Sequence, residues 1–226
     1  MKQTIKNILK TLGFIFLLLG FTSIPLAILG IDYSNLQTNT KIIYSLICDI
    51  IFLSFIIFCY RKTLIQDFKE FKKDIFKNLE YAFKFWLVGF IIMVISNLFI
   101  IYVIKGGIAE NEEAVRNLIN ISPIYMLFEV AIYAPLTEEL IFRKSIRDIF
   151  KNKWAFIITS GFVFGALHVI SSVETTTDLL FLIPYCSLGF TFAYLYYKSN
   201  NIFSSISMHA MHNTMAIILY LIGASL

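Results

Sequence analysis

The sequence predicts an all-α membrane protein, a bundle of about seven transmembrane helices that forms one domain over residues 1–226. Of the 226 residues, 58% are hydrophobic and only 15% are charged, and the mean hydropathy is +0.76. Soluble globular proteins average about 25% charged residues, so a soluble fold of this composition would expose too much apolar surface. The composition also excludes a disordered chain, a coiled coil and a small disulfide scaffold.

Seven apolar stretches are each long enough to cross a bilayer, which takes about 20 helical residues. They cover residues 9–30, 42–60, 81–104, 121–150, 154–171, 178–197 and 202–225. The first stretch follows three lysines, as in a signal peptide, but it continues to Leu29 without a clear cleavage site of small residues. We therefore expect the first stretch to be a retained span.

The basic residues predict the orientation of these spans. With the N-terminus in the cytoplasm, fifteen lysines and arginines fall in or beside cytoplasmic segments, whereas the outer segments hold only Lys41, Lys105 and Arg116. Cytoplasmic loops of membrane proteins carry such an excess of lysine and arginine. An odd number of spans then leaves the C-terminus outside. Because the net charge of +4 arises from these loops, we do not expect nucleic acid as a partner.

Residues 61–80 form a segment of a different kind. Apolar residues recur there at helical spacing, with charged residues between them. This pattern predicts an amphipathic helix on the cytoplasmic surface of the lipid bilayer, and a partner-binding helix is the alternative. No internal repeat, low-complexity tract or linker divides the chain.

Ionisable residues within the spans are concentrated in the second half of the chain. Such groups are costly in a bilayer and usually mark function. The fourth span carries Glu129, Glu138, Glu139, Arg143 and Arg147, the fifth carries His168, the seventh carries His209, His212 and Asn213, and Asp49 lies apart on the second. We therefore expect the functional site between the fourth, fifth and seventh spans, in a polar cavity that faces the cytoplasm.

Helical geometry predicts which of these groups meet. At a rise of about 1.5 Å per residue, Glu138 lies about 18 Å from the cytoplasmic end of the fourth span, and His168 about 21 Å from that of the fifth. The two groups share one depth if the fourth helix continues to the end of its stretch. Glu139 and Arg143 are four residues apart and can form an ion pair, and Pro135 predicts a kink beside them.

The residue types alone leave two mechanisms open. A carboxylate beside one or two imidazoles can activate a water molecule, and an asparagine amide or a protonated histidine can donate to a developing oxyanion. Two histidines and a glutamate are also the ligand types of a catalytic zinc site, in which case His168 and His209 would bind the metal. The expected cofactor is therefore either none or a divalent metal such as zinc.

Three short motifs carry a resemblance to a known family. The pattern EExxxR covers residues 138–143, FxxxH covers residues 164–168, and HxxxN covers residues 209–213. In this order, on the fourth, fifth and seventh spans, they resemble the motifs of the CPBP family of intramembrane proteases. That family comprises CAAX prenyl proteases and bacteriocin-processing or bacteriocin-immunity proteins (the Abi group). The resemblance covers the motif-bearing core, residues 121–220.

The resemblance implies a helical bundle with a cytoplasm-facing catalytic cavity and peptide-bond hydrolysis by an activated water. It implies that Glu138 activates the water with help from His168, and that His209 and Asn213 position the substrate carbonyl and stabilise the oxyanion. The supporting residues that it implies are Glu139, Arg143 and Phe164. Members commonly have eight spans, whereas this sequence gives seven.

We therefore predict an endopeptidase of the cell membrane. Its expected substrate is a peptide precursor or a membrane-associated protein, in bacteriocin processing, self-immunity or signalling-peptide maturation. The alternatives are a non-proteolytic regulator or immunity protein that binds a partner, and a proton-coupled transporter. Other intramembrane proteases fit less well, because HExxH and GxGD do not occur in the sequence and its GxS pattern lies at residues 223–225.

Overall fold

The computed structural model of the protein describes residues 2–104, 106–170 and 173–223. Every regular element within these ranges is helical and none is a strand, which confirms the predicted all-α class. Lys105, one of the basic residues assigned to the outer segments, lies outside the described residues. So do residues 224 and 225, which end the predicted seventh span and complete the GxS pattern.

The N-terminal part of the bundle consists of two helices and a turn. Helix α1 covers Lys2–Gly20 and α2 covers Ser23–Ile28, and a 3₁₀ turn follows at Tyr33–Asn35. The α1–α2 junction is fastened to the next helix, because the Tyr44 hydroxyl donates to the Thr22 carbonyl oxygen at 2.7 Å.

Helices α3 and α4 form the longest helical stretch. It comprises α3 (Thr38–Phe71), a 3₁₀ turn (Lys72–Asp74), α4 (Ile75–Phe99) and a π-helical turn (Ile100–Ile104). At Asp74 the backbone leaves the helical conformation with φ −150° and ψ 72°, and its carboxylate accepts from the Lys77 N–H, so α4 begins with an N-cap. The predicted interfacial segment, 61–80, thus spans the end of α3, the turn and the start of α4, and its place at the bilayer surface stays a prediction.

Two helical stretches in the described parts of the chain are long and apolar enough to cross a membrane, Thr38–Ile104 and Thr176–Ser199. Lys153–Val169 is a shorter apolar helix. Only 17% of the most apolar window in the first stretch is buried inside the protein, so this stretch presents an extended apolar surface of the kind that contacts lipid. The count of seven spans stays a prediction.

The predicted fourth span is a run of helical turns without a break, preceded by α5 at Glu110–Ile121. The run comprises α6 (Pro123–Phe128), a π turn (Glu129–Tyr133), α7 (Ala134–Glu138), a second π turn (Glu139–Ser145) and α8 (Ile146–Ile149). Pro135 has no N–H, and its ring crowds the preceding turn, which accounts for the widened turn just before it. Because the run continues to Ile149, Glu138 and His168 lie at the same depth in the bundle, as the helical rise predicts.

Helices α9, α10 and α11 complete the bundle. They cover Lys153–Val169, Leu182–Ser199 and Ile202–Leu221, and a 3₁₀ turn at Thr176–Phe181 leads into α10. Helices α9 and α10 approach closely because glycine faces glycine. A Cβ atom at Gly189 would lie 2.6 Å from the carbonyl oxygen of Gly161, so only glycine fits at this contact.

The start of α11 is fixed against the end of α3. The Asn201 amide donates to the Asp67 carbonyl oxygen at 2.7 Å, and the Asp67 carboxylate accepts from the Ile202 N–H at 2.9 Å. The second bond satisfies a backbone N–H at the first turn of α11, where N–H groups otherwise lack partners. They also set the rotation of α11, and hence the face that carries His209 and Asn213.

Candidate active site

The structure brings together Glu138, His168 and His209. Glu138 ends α7, His168 lies one residue before the end of α9, and His209 lies on α11. The Oε2 atom of Glu138 is 3.9 Å from Nε2 of His168 and 3.8 Å from Nε2 of His209. This oxygen is buried and has no hydrogen-bond partner among the described residues. A buried polar atom without a partner is costly and calls for a functional explanation.

The tautomer of His168 follows from its hydrogen bond. Its Nδ1 atom lies 2.8 Å from the Phe164 carbonyl oxygen, one turn earlier in α9. A carbonyl oxygen only accepts, so Nδ1 donates and Nε2 is the nitrogen that faces Glu138. The ring also stacks on Tyr185 of α10, with 5.1 Å between centroids and 25° between planes. The bond and the stacking together hold Nε2 toward the carboxylate.

His209 is anchored on two sides. Its Nδ1 atom lies 3.0 Å from Oε1 of Glu139, so Nδ1 donates to this carboxylate and Nε2 faces Glu138. The ring stacks on Phe192 of α10, with 5.1 Å between centroids and 20° between planes. The His209 side chain is only 4% exposed, compared with 20% for the His168 side chain. His209 is therefore part of the packed interior, and His168 is the more accessible of the two.

Glu139 and Arg143 form a buried ion pair that connects the motif-bearing helices. Oε2 of Glu139 is 3.1 Å from Nε of Arg143, and both side chains are fully buried. The Nη1 group of Arg143 donates to Oγ of Ser160 on α9 at 3.1 Å, and this hydroxyl donates to the Phe142 carbonyl oxygen at 2.7 Å. The guanidinium also lies over the ring of Phe164, 4.7 Å from its centroid. This network holds the fourth span, α9 and α11 in one arrangement.

Asn213 lies beside the same site and already has a protein partner. Its Nδ2 group donates to the carbonyl oxygen of Val130 at 3.2 Å, within the π turn that precedes Pro135. Its side chain also lines the cavity that contains Glu138. The observed geometry is an interhelical hydrogen bond, and the role of Asn213 as an oxyanion donor stays a prediction.

Two cavities meet at Glu138 and His168. One has a volume of about 230 Å³ and extends between the fourth span, α5, α10 and α11. The other has a volume of about 550 Å³ and extends between α1, α3, α5 and the fourth span. Asn111, Glu129, Glu138 and His168 line both of them. Of these two cavities, only the larger has a volume in the range of ligand sites, about 300–1,000 Å³. It is therefore large enough for part of a peptide.

A second group of acidic residues lines the larger cavity. The Tyr125 hydroxyl donates to Oδ2 of Asp49 at 2.9 Å, and Glu129 lies on the same wall with a buried Oε2 atom that has no hydrogen-bond partner in the described ranges. Neither Asp49 nor Glu129 has a role predicted from the sequence. Both residues line the larger cavity, because α3 packs against the fourth span.

Sequence reasoning missed the aromatic residues that hold the two imidazoles. Tyr185 and Phe192 are seven residues apart on α10, so they lie on one helix face two turns apart. Each stacks on one histidine, Tyr185 on His168 and Phe192 on His209. The spacing of seven residues between two aromatic side chains could have indicated this role. Aromatic residues make up 16% of the chain, however, so one pair at this spacing is not distinctive.

The side chains of the site do not fit a metal centre. No group of three or more His, Cys, Asp or Glu among the described residues is arranged to hold a metal ion. A catalytic zinc site needs three protein ligands at about 2.0–2.3 Å. The side chains of the site can instead act on a water molecule directly.

Comparison with known proteins agrees with the motifs. Residues 120–215 match the family model described as Type II CAAX prenyl endopeptidase Rce1-like. This region contains all three motifs and the side chains that converge in the cavity. These matches agree with the resemblance to the CPBP family that the three motifs carry. The match confirms the predicted resemblance, and the matched model is that of a membrane endopeptidase of the CAAX type.

Bacterial relatives agree with this resemblance. The "Putative membrane peptidase YdiL" of Bacillus subtilis (strain 168) is 34% identical over 119 residues, which are 51% of this chain and 45% of YdiL. The UPF0177 protein YaiH of Lactococcus lactis subsp. lactis (strain IL1403) is 27% identical over 208 residues, 88% of this chain and 79% of YaiH. The match thus spans less than half the length of YdiL. No solved structure matches the chain significantly.

Proposed function

We propose that this protein is an intramembrane endopeptidase that hydrolyses peptide bonds with a water molecule activated by Glu138. The observation that carries the proposal is the convergence of Oε2 of Glu138 with the Nε2 atoms of His168 and His209, at 3.9 and 3.8 Å, on the wall of a cavity. A carboxylate oxygen without a protein partner can hold a water molecule and accept its proton. The site residues are also those that match the motifs of the CPBP family.

The proposed reaction begins with proton transfer to Glu138. As a water oxygen attacks the carbonyl carbon of the scissile bond, the Glu138 carboxylate takes one proton from that water, while Nε2 of His168 accepts a hydrogen bond from it. The attack turns the carbonyl into a tetrahedral oxyanion. Nε2 of His209, when protonated, donates to this oxyanion, and the Asn213 amide offers its remaining N–H. Glu138 then returns its proton to the leaving amine as the C–N bond breaks.

The fixed parts of the site favour this chemistry. Preorganised donors stabilise a developing charge best when the protein, rather than the substrate, holds them in place. Tyr185 and Phe192 hold the imidazoles by stacking, and Glu139 orients His209 from the opposite nitrogen. The substrates that we propose are a peptide precursor or a membrane-associated protein, with roles in bacteriocin processing, self-immunity or signalling-peptide maturation.

The test is a comparison of peptide termini in cell membranes. Cells would express the wild type, Glu138→Gln or Glu80→Gln at matched levels, and terminal-peptide profiling would identify newly formed ends. Glu80 is the control because it forms an exposed ion pair with Lys84 on α4, at 2.6 Å, away from the cavity. We expect new termini with the wild type and Glu80→Gln, and none with Glu138→Gln. Identical profiles for all three would instead favour a protein that binds a membrane partner without cleaving it.

A further inference from the structure

The segments that carry most of the basic residues lie at one end of the bundle, called here the basic end. The start of α1 reaches the end of α8, where the Asn7 amide donates to the Asp148 carbonyl oxygen at 2.9 Å. Helix α1 also contacts the last third of α3, where Lys10 lies 4.0 Å from the centroid of the Tyr60 ring. The α10–α11 turn joins the same end through Asp67. The segments assigned to the cytoplasm by their charges therefore lie together.

The opposite end of the bundle, called here the acidic end, is formed by α5, the α2–α3 connection and the segment before α10. Tyr185 accepts a hydrogen bond from the Asn111 amide at 3.3 Å, and the Tyr220 hydroxyl accepts one from Asn120 at 3.0 Å, so α5 covers the ends of α10 and α11. The acidic residues at this end are Asp32, Glu110, Glu112, Glu113, Glu174 and Asp178. Its basic residues in the described ranges are Lys41 and Arg116.

The cavities that contain Glu138 or His168 extend toward the acidic end. The larger cavity contains Glu138 and His168 and is also lined by Thr22, Ser45 and Glu110. A further cavity of about 350 Å³ places His168 against Glu110, Glu113, Glu174 and Asp178. Residues that define the basic end, such as Lys10, Tyr60 and Lys144, line none of these cavities.

These positions bring two sequence expectations into conflict. A cytoplasmic N-terminus places the basic end in the cytoplasm, whereas a cytoplasm-facing cavity would require the acidic end to be there. The excess of lysine and arginine in cytoplasmic segments is the stronger argument, because it determines the orientation of most membrane proteins. We infer that the catalytic cavity opens to the outer face of the membrane and takes peptide segments exposed on that face.

The inference narrows the substrate class. Such substrates are peptides that have crossed the membrane, or segments of membrane proteins next to the outer surface, rather than proteins of the cytoplasm. The inference rests on the proposed function in one respect: it takes the cavity to be the place where the peptide is cleaved. The direction in which the cavity opens can be measured without any knowledge of the substrate.

The experiment labels single cysteines from outside the cell. Cys48, Cys59 and Cys186, the three cysteines of the chain, are replaced by serine or alanine, and one cysteine is then introduced per variant. Glu113→Cys and Asn111→Cys report on the mouth of the cavity, and Lys151→Cys and Lys73→Cys on the basic end; all four positions are exposed. Intact cells and permeabilised cells are treated with a membrane-impermeant maleimide.

We expect Glu113→Cys and Asn111→Cys to react in intact cells as fully as after permeabilisation, and Lys151→Cys and Lys73→Cys to react only after permeabilisation. The reverse pattern, or labelling of all four positions in intact cells, overturns the inference. Repeating the labelling in a Glu138→Gln background gives the same pattern if the inference holds, because orientation does not depend on catalysis. A failure of the inference is thus distinct from a failure of the proposed function.

Discussion

Glu138 and Glu139 approach different nitrogens of one histidine. Oε1 of Glu139 lies 3.0 Å from Nδ1 of His209, and Oε2 of Glu138 lies 3.8 Å from its Nε2. Consecutive residues of a helix point about 100° apart, so one carboxylate reaches the packed interior and the other the cavity. The exposed fraction is 0% for the Glu139 side chain and 15% for that of Glu138. This difference separates a structural carboxylate from one available for chemistry.

Glu139→Gln should destabilise the protein, whereas Glu138→Gln should not. The first substitution leaves Arg143 buried without its anionic partner, and breaking a buried ion pair costs about 3–5 kcal/mol. The second removes a charge whose Oε2 atom has no hydrogen-bond partner in the described chain. The melting temperature in detergent, measured for both variants and the wild type, checks this. Equal losses for the two variants would contradict the division between them.

Arg143→Met should also lower the melting temperature and reduce the amount of folded protein. The substitution keeps an apolar stem but leaves the Glu139 carboxylate buried without a cation, and it removes the hydrogen bond to Ser160. Lys84→Met is the matched control, because Lys84 pairs with Glu80 on an exposed helix surface. Exposed pairs contribute little to stability, so we expect no measurable change for the control. A stable Arg143→Met protein would show that the network is dispensable for folding.

The sequence predicted the helical class and the members of the site because both depend on local features. Apolar stretches define helices by their length, and ionisable residues within such stretches stand out. The convergence of Glu138 with His168 followed from the rise per residue, once the fourth helix was taken to continue. The structure shows that continuation, including the disturbance beside Pro135 that its missing N–H predicts.

Other features could not be predicted, because they arise from packing between helices distant in the chain. Asn213 binds the Val130 carbonyl because α11 packs against the π-helical turn before Pro135, and the sequence of neither segment predicts that contact. The stacking of Phe192 on His209 depends on how closely α10 approaches its neighbours. The cavity's direction likewise depends on α5, a polar helix whose packing over the end of the bundle hydropathy does not reveal.

Gly189→Ala should push α9 and α10 apart and lower both stability and activity. The new Cβ atom would lie 2.6 Å from the Gly161 carbonyl oxygen, and overpacking of this kind costs about 1–3 kcal/mol. Because α9 carries His168, we expect proteolysis to fall as well. Gly13→Ala is the control: nothing lies within 4 Å of a Cβ there, so alanine should leave the melting temperature unchanged or raise it. A neutral Gly189→Ala would contradict the close packing of the two helices.

Asn213→Ala tests whether this amide acts on the oxyanion or only connects two helices. Loss of the hydrogen bond to Val130 should cost about 1 kcal/mol of stability in either case. If the amide also stabilises the transition state, kcat should fall by about 100-fold or more with little change in KM. We expect this larger effect, because Asn213 lines the cavity beside Glu138.

The control for Asn213 is Asn120→Ala. Asn120 also donates from α5 to a side chain on α11, at 3.0 Å to the Tyr220 hydroxyl, but it does not line the cavities that contain Glu138. Asn120→Ala should therefore lose a similar interhelical bond and keep its kcat. Steady-state kinetics on a peptide identified by terminal profiling would separate the two variants. Equal kcat values for both would assign Asn213 to the scaffold and leave His209 as the oxyanion donor.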